Sequence, residues 1–203
     1  MITLPKNTPD YLKQFSSTIK ETSTTDNGEV FIDSGIEVIN FDEVKNNINK
    51  KLKSNDALFI TQNNTWTFIE FKSGLIRNDV EQDCIVKIYD TILLTINIAF
   101  EKEIDYIANN PMQFFRNNCN YYLVYGNQNE PYNEKYMTDE TKKYLNAVGY
   151  FQQNKSKNMI AKHIANKAKE HYILFGLHKF RGYLFKEVYT LSKDEFKKKF
   201  NIV

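Results

Sequence analysis

Two acidic residues and a lysine stand at the ends of two short apolar segments. Asp56 comes directly before Ala-Leu-Phe-Ile, and Glu70-Phe71-Lys72 ends the run that begins at Trp66. Side chains along a strand alternate between faces, so Glu70 and Lys72 are expected on one face and Phe71 on the other. Charges at the end of an apolar strand are costly to desolvate. We therefore expect them to hold a ligand between them, namely a divalent cation and a phosphate.

This set of groups suits the metal-dependent hydrolysis of a phosphodiester. Such a reaction needs oxygen ligands for Mg²⁺, a water beside the phosphorus and positive charge near the transition state. Asp56 and Glu70 would supply two carboxylate ligands, and Phe71 could add its backbone carbonyl. Lys72 would lie near the attacking water, where it could orient the water, help to deprotonate it or offset phosphate charge. The sequence leaves these three roles open.

The segments around these residues must bring them together. Residues 56–72 predict a β-hairpin that turns at Asn63-Asn64. Asp42 is the expected N-cap of a preceding helix that continues through Lys53. A long helix is expected from about 78 to 103, and its apolar positions are so numerous that much of its surface must be buried. The hairpin therefore carries the acids and the lysine between two helices of the chain.

The remaining segments extend this pattern into an α/β fold with a mixed sheet flanked by helices. A helix of about three turns is expected from Pro9-Asp10, because Leu12, Phe15 and Ile19 recur at helical spacing. Ser192-x-x-Glu195 predicts a capping box that opens a last helix. The other expected elements are extended segments at 30–32 and 36–39, strands at 119–126, 172–175 and 183–191, and helices at 138–150 and 155–169.

The motif residues resemble the PD-(D/E)XK nuclease superfamily. The resemblance rests on Asp56, thirteen intervening residues, Glu70-Phe-Lys72 and the helix and strand that follow, between about Asp42 and Gly126. It implies an αβββαβ restriction-endonuclease-like core and cleavage of nucleic acid, mostly DNA, that depends on Mg²⁺ or Mn²⁺. Asp56 and Glu70 would be the metal ligands and Lys72 the catalytic lysine. Members include phage and host-defence nucleases, and small members often act as homodimers.

Three further residues are candidates for the same site. Many members of the superfamily carry an acid on the first helix, for which Glu43 is a candidate. Some members carry Gln-x-x-x-Tyr on the helix after the motif. That pattern is absent here, since Gln82 and Tyr89 are seven residues apart, but Gln82 or Lys87 could still face the site.

Charge is distributed unevenly along the chain. Residues 151–203 carry a net charge of +8, whereas the whole chain carries +2. A basic C-terminal extension suits a phosphate-rich partner, although lysine-rich helices are often only solvated surfaces. With 203 residues, we expect one domain with its nuclease-like core at about 42–126. The candidate nucleic-acid contacts are Lys155, Lys157, Lys162, Lys167, Lys179 and Arg181.

Several classes of protein and site are disfavoured by the sequence. There is no signal-peptide pattern, and the most apolar run, Thr91–Phe100, is about half the length of a membrane span. Cys84 and Cys119 have neither metal-ligand nor disulfide-framework spacing. The three histidines do not resemble a zinc site. These observations predict a reduced, cytoplasmic protein that does not bind a membrane.

Two alternatives to a nuclease remain open. The fold could be a catalytically inert relative that binds nucleic acid or a partner protein. Alternatively, Glu70 and Lys72 could form a surface ion pair on an edge strand of a structural α/β protein, which would contribute little energy. An inert module should not bind Mn²⁺ or Mg²⁺ through Asp56, so metal binding separates the first alternative from an active nuclease.

Overall fold

A computed structural model describes residues 2–74, 78–126, 173 and 175–202, and it describes residues 78–80 as backbone only. Helices and strands are interspersed along these ranges, as expected for an α/β fold. In chain order they are α1 (Asp10–Lys13), β1 (Ser16–Thr18), α2 (Ile19–Thr22), β2 (Glu37–Asn40), α3 (Phe41–Ile48), β3 (Ala57–Ile60), β4 (Trp66–Lys72), α4 (Asn78–Glu101), α5 (Asp105–Ala108), α6 (Pro111–Asn118), β5 (Cys119–Tyr125), a 3₁₀ helix (Leu177–Phe180), β6 (Glu187–Ser192) and α7 (Lys193–Lys199).

The strands form one six-stranded mixed sheet in the order β1-β2-β3-β4-β5-β6. Neighbours from β1 to β4 are antiparallel, whereas β4, β5 and β6 run parallel to one another. A parallel pair requires a crossover connection, and α4, α5 and α6 lie between β4 and β5 in the chain. β4 is therefore an interior strand, paired on both sides.

The predicted hairpin of β3 and β4 is confirmed, although β3 ends at Ile60 and not at about Gln62. Ala57 pairs with Ile69 and Ile60 with Trp66, so Asp56 comes one residue before the paired part of β3, level with Glu70. Asn64 closes the turn with a φ of 56°, in the left-handed region that asparagine tolerates better than most residues. The register thus brings the two acids to the same end of adjacent strands.

Each face of β4 packs into a different hydrophobic layer. Trp66 and Phe68 belong to a cluster that includes Cys84 and Ile88 of α4. Ile69 and Phe71 belong to the opposite cluster, which contains Phe196 of α7. The alternation predicted for Glu70-Phe71-Lys72 is confirmed, because Glu70 lies on the α4 side and Phe71 packs on the other side.

Two helix predictions near the amino terminus are wrong in their extent. The expected three-turn helix from Pro9 is interrupted after one turn, because residues 16–18 pair with β2 as strand β1. The N-cap of α3 is Asn40, whose side chain accepts a hydrogen bond from the backbone of Glu43, and Asp42 lies inside the helix. Helix α3 also ends at Ile48, short of Lys53. The backbone N–H of Lys53 instead donates to Asp90 of α4 at 2.8 Å.

The long helix and the C-terminal elements follow the predictions more closely. α4 spans nearly the expected range, but its burial is one-sided, since Val86 and Leu93 are 44% and 58% exposed. The predicted strand at 183–191 begins only at Glu187, because residues 182–184 form a turn. The predicted capping box is confirmed, since Ser192 and Glu195 exchange both hydrogen bonds at the start of α7.

The remaining predicted elements lie largely outside the described residues. These are the helices at 138–150 and 155–169 and most of the strand at 172–175. Within the part of the chain that is described, no helix has the length and apolar character needed to cross a membrane.

Candidate active site

Glu70 is the centre of a compact cluster of charged side chains. Its side chain is 0% exposed, and Oε1 lies 2.7 Å from Nζ of Lys72 and 2.8 Å from Nζ of Lys87. β4 places Glu70 and Lys72 on one face, and α4 covers that face and contributes Lys87. The surface ion pair on an edge strand is therefore excluded, because Glu70 and Lys72 do pair but on an interior strand and beneath a helix.

Asp56 joins this cluster from the start of β3. Its Oδ2 accepts a hydrogen bond from the backbone N–H of Phe71 at 2.6 Å, and its Oδ1 lies 3.3 Å from Nζ of Lys87. The backbone bond fixes the carboxylate at the end of the neighbouring strand. One ammonium group, that of Lys87, thereby contacts both Asp56 and Glu70.

A third acid, Asp83 on α4, extends the cluster toward the surface. Asp83 stands one helical turn before Lys87, so the two side chains share a face of the helix. Its Oδ2 lies 3.3 Å from Nζ of Lys72, and its other oxygen pairs with Lys53. Acids and lysines therefore alternate through the site, which lowers the repulsion between like charges.

Burial and charge shift the acid–base properties of Asp56 most clearly. Burial, together with the negative charge of Glu70, raises the pKa of the Asp56 carboxyl to about 7, although Lys87 and the Phe71 N–H oppose this rise. Asp56 therefore holds its proton more tightly than an ordinary aspartate does. Any cation that binds there would favour the ionised form and release a proton.

The lysines of the site are held in the charged form. Burial is the largest effect on Lys72 and lowers its pKa, but the charge and hydrogen bond of Glu70, together with Cys84, outweigh it and the pKa lies above its ordinary value. The pKa of Lys87 is raised in the same way by Glu70 and Asp56. Burial raises the pKa of the Cys84 thiol to about 12, with Glu70 adding to the effect. Cys84 is therefore held as a neutral thiol while no cation is bound.

Asn55, which directly precedes Asp56, contacts the site through its backbone and its side chain. It is 0% exposed, its backbone N–H donates to Thr91 Oγ1 of α4 at 3.0 Å, and its Nδ2 lies 3.4 Å from Glu70 Oε2. Burial raises the pKa of the Tyr121 hydroxyl on β5 well above its ordinary value, and a hydrogen bond with the Asn55 side chain opposes this rise.

The additional candidates from the sequence are only partly brought into the site. Lys87 lies at its centre, whereas Glu43 and Gln82 are exposed and make no described contact with Asp56 or Glu70. On α3, the acid whose charge acts on the site is Asp42. It accepts a hydrogen bond from Ser54 Oγ at 2.6 Å, and its charge contributes to the raised pKa of Asp56.

The candidate nucleic-acid contacts are placed less favourably where they are described. Arg181 pairs with Glu187 at 2.7 Å, at the amino end of β6. The active-site cluster lies at the opposite, carboxyl end of these parallel strands, where Lys72 pairs with Tyr125. Lys179 is exposed and lies over the Phe180 ring. Lys155, Lys157, Lys162 and Lys167 lie outside the described residues.

The residues present fit a divalent cation held by two carboxylates. Among the described residues there is no group of three or more His, Cys, Asp or Glu side chains arranged to hold a metal ion. Mg²⁺, however, is typically bound by one or two protein carboxylates, with water and substrate in the other positions. Asp56 and Glu70 meet this requirement, because both already contact a single cationic group.

Sequence reasoning missed Lys53, Asp83 and Asn55. Asp83 carried a usable signal, since it stands four residues before Lys87 on the same predicted helix. Lys53 and Asn55 stand in the connection between α3 and β3, where no periodicity indicates the direction of a side chain. Comparison of the chain with protein-family models, with curated proteins and with solved structures found no match in any of the three.

Proposed function

We propose that the protein is a metal-dependent nuclease of the PD-(D/E)XK type that hydrolyses phosphodiester bonds, most plausibly in DNA. The observation that carries this proposal is the convergence of Asp56 and Glu70 on one cationic group. Two acids from adjacent strands that share a cation form the minimal protein ligand set for Mg²⁺. Glu70-Phe71-Lys72 then has the spacing on which the resemblance to this superfamily rests.

The order of elements supports the same proposal. Three consecutive strands, β2, β3 and β4, form an antiparallel meander, and α4 then leads through α5 and α6 to β5, which is parallel to β4. The resemblance implies three strands, a helix and a further strand in this sequence. The core expected at about 42–126 contains only β3 and β4 before α4, because β2 lies before that range and α3 stands between β2 and β3. This order departs from the plain αβββαβ order.

The protein's own groups would act on the substrate in distinct ways. Asp56 and Glu70 would hold the cation, and the Phe71 N–H would keep Asp56 oriented. When bound, Mg²⁺ or Mn²⁺ would supply positive charge to the phosphate and activate a water. Lys72 is best suited to orient that water or to offset phosphate charge. Its pKa lies above its ordinary value, which disfavours a role as the general base.

The basic C-terminal extension is connected to the chain beside the site. The N–H of Gly126, the last described residue after β5, donates to the carbonyl of Lys72 at 3.0 Å. Where the chain is described again, the Phe175 ring lies 5.9 Å from the ring of Tyr125. The candidate contacts Lys155, Lys157, Lys162 and Lys167 stand between these two points in the chain and lie outside the described residues. Their role in holding the substrate strand rests on the net charge of the extension.

A cleavage panel tests the proposal directly. Supercoiled plasmid, single strands, branched DNA and structured RNA are incubated with Mg²⁺ or Mn²⁺ and with wild type, Glu70→Gln, Lys72→Met or Glu43→Gln. We expect metal-dependent cutting that Glu70→Gln and Lys72→Met reduce about a hundredfold to a thousandfold or more, while the exposed-site control Glu43→Gln cuts normally. Cutting that survives in both site variants would refute the assignment.

A second function is favoured by one observation, the mutual neutralisation of the charged cluster. Each acid of the site already has a lysine partner, as in a purely structural ion-pair network. An inert binding module with such a network would show no cutting and no binding of Mn²⁺. Calorimetric titration with Mn²⁺ therefore separates the two functions. The homodimer and the phage or host-defence context stay predictions.

A further inference from the structure

The ammonium of Lys87 lies where a cation shared by the two carboxylates would lie. Its Nζ is 3.3 Å from Asp56 Oδ1 and 2.8 Å from Glu70 Oε1. Lys72, the other lysine on Glu70, makes its second contact with Asp83 and none with Asp56 that is described. Only one of the two lysines of the motif region thus bridges the proposed metal ligands, and it comes from α4.

We propose that Lys87 competes internally with the divalent cation, so that its ammonium must leave Asp56 and Glu70 before the cation binds. This inference rests on the proposed function and adds a control on the affinity of the same site. A monovalent ammonium and a divalent ion cannot occupy one point between two carboxylates, because like charges at contact distance repel strongly at partial burial. The affinity for the cation therefore includes the cost of displacing Lys87.

The surroundings of Lys87 allow this displacement. Its side chain is 17% exposed and is therefore not fully enclosed. Asp83, one turn earlier on the same face of α4, is an acid of that helix that could receive the ammonium. The charges of Lys72 and Lys87, together with hydrogen bonds from Lys53 and Lys72, outweigh burial and keep the pKa of Asp83 below its usual value. An ionised partner is thus available on the helix that carries Lys87.

The chain offers a matched control for this lysine. The Lys45 side chain is also 17% exposed and pairs with Asp42 at 3.4 Å, but it has no described contact with Asp56 or Glu70. Replacing Lys45 by methionine removes a lysine of equal exposure whose partner, Asp42, influences Asp56 through its charge but makes no described contact with it. Any effect that is specific to the bridging position must therefore appear in Lys87→Met and not in Lys45→Met.

Calorimetric titration with Mn²⁺ alone, without nucleic acid, tests the inference. We expect Lys87→Met to bind Mn²⁺ about tenfold or more tightly than wild type, since a competing charge is removed, and Lys45→Met to bind like wild type. Binding by Lys87→Met alone would also support the inference. Equal or weaker binding by Lys87→Met than by wild type overturns the inference but leaves the proposed nuclease standing. If no variant binds Mn²⁺, both the inference and the metal-dependent function are overturned.

A second measurement uses the wild-type protein and does not depend on the folding of a variant. Lysine amines are methylated by formaldehyde and a borohydride reagent, in EDTA or in Mg²⁺, and the rate at each position is read by mass spectrometry. We expect Lys87 to be modified faster in Mg²⁺ than in EDTA, while Lys45 is modified at the same rate in both. An unchanged rate at Lys87 in the Mg²⁺-bound protein would overturn the inference.

Discussion

Glu70→Gln removes one negative charge from the centre of the cluster while it keeps the shape of the side chain. Both ammonium groups that contact Glu70 then keep a single acid each, Asp83 for Lys72 and Asp56 for Lys87, both at 3.3 Å. Removing one partner of a buried ion pair costs about 3–5 kcal/mol. Because the two lysines are partly exposed and keep these acids, we expect a loss of about 2–3 kcal/mol in the free energy of unfolding.

The loss is measured by urea unfolding in EDTA near neutral pH, with Glu43→Gln as the control. Both substitutions remove one glutamate charge, but Glu43 is exposed on α3, so its replacement should change stability by less than about 0.5 kcal/mol. The difference between the variants isolates the buried position of Glu70. The comparison requires that both unfold with the same slope against urea, which shows that the same surface is exposed.

The pH dependence of the free energy of unfolding tests the same interaction independently. A carboxyl whose pKa is raised on folding stabilises the protein fully below its unfolded value and loses that contribution as the pH rises through the folded value. For Asp56 this interval runs from 3.8 to about 7. The charge of Glu70 is one of the causes of the raised pKa of Asp56. In Glu70→Gln, the free energy of unfolding should therefore fall less across this pH interval than in wild type.

Two results would refute this account of the cluster. A loss no larger than that of Glu43→Gln would mean that Lys72 and Lys87 do not depend on Glu70, as in a solvated pair. A decline of stability between about pH 4 and pH 7 that is as steep in Glu70→Gln as in wild type would mean that Asp56 and Glu70 are not electrostatic neighbours.

Three further predictions address the site, the fold and the substrate. In EDTA, Asp56→Asn should abolish the part of the pH-dependent decline that comes from Asp56, which is worth up to about 4 kcal/mol at 1.36 kcal/mol per pKa unit and is measured by urea titration across that range. Ser192→Ala removes the N-cap of α7 and should cost about 1 kcal/mol by the same assay, whereas Ser192→Asp should cost less. If the basic extension holds nucleic acid, the logarithm of affinity should fall linearly with the logarithm of salt concentration, and a flat response would exclude phosphate contacts.

The hairpin and the site's centre could be predicted because local rules determine them. Alternation along β4 places Glu70 and Lys72 together, and the turn at Asn64 sets the register that brings Asp56 level with Glu70. Both rules act over a few residues and need no knowledge of the rest of the fold. The involvement of Lys87 could be stated only as a candidate, because it depends on how α4 packs on the sheet.

The errors arise where contacts distant in sequence override local preference. Leu12, Phe15 and Ile19 have helical spacing and are all buried, yet residues 16–18 form a strand because they pair with β2. Asp42 is a good N-cap by residue type, but the end of β2 places the cap at Asn40. Lys53 and Asp90 are 37 residues apart, and no local pattern predicts the hydrogen bond between them.

The six charged residues of the ion-pair cluster that the structure describes, from Lys53 to Lys87, come from one stretch of 35 residues, a hairpin followed by a helix. Contacts between residues that are close in the chain form early and quickly during folding. These partners are all synthesised before β5, which pairs with the edge of β4 that β3 leaves open. The carboxylates can therefore meet their lysines before the sheet is complete, which avoids the burial of an unpaired charge.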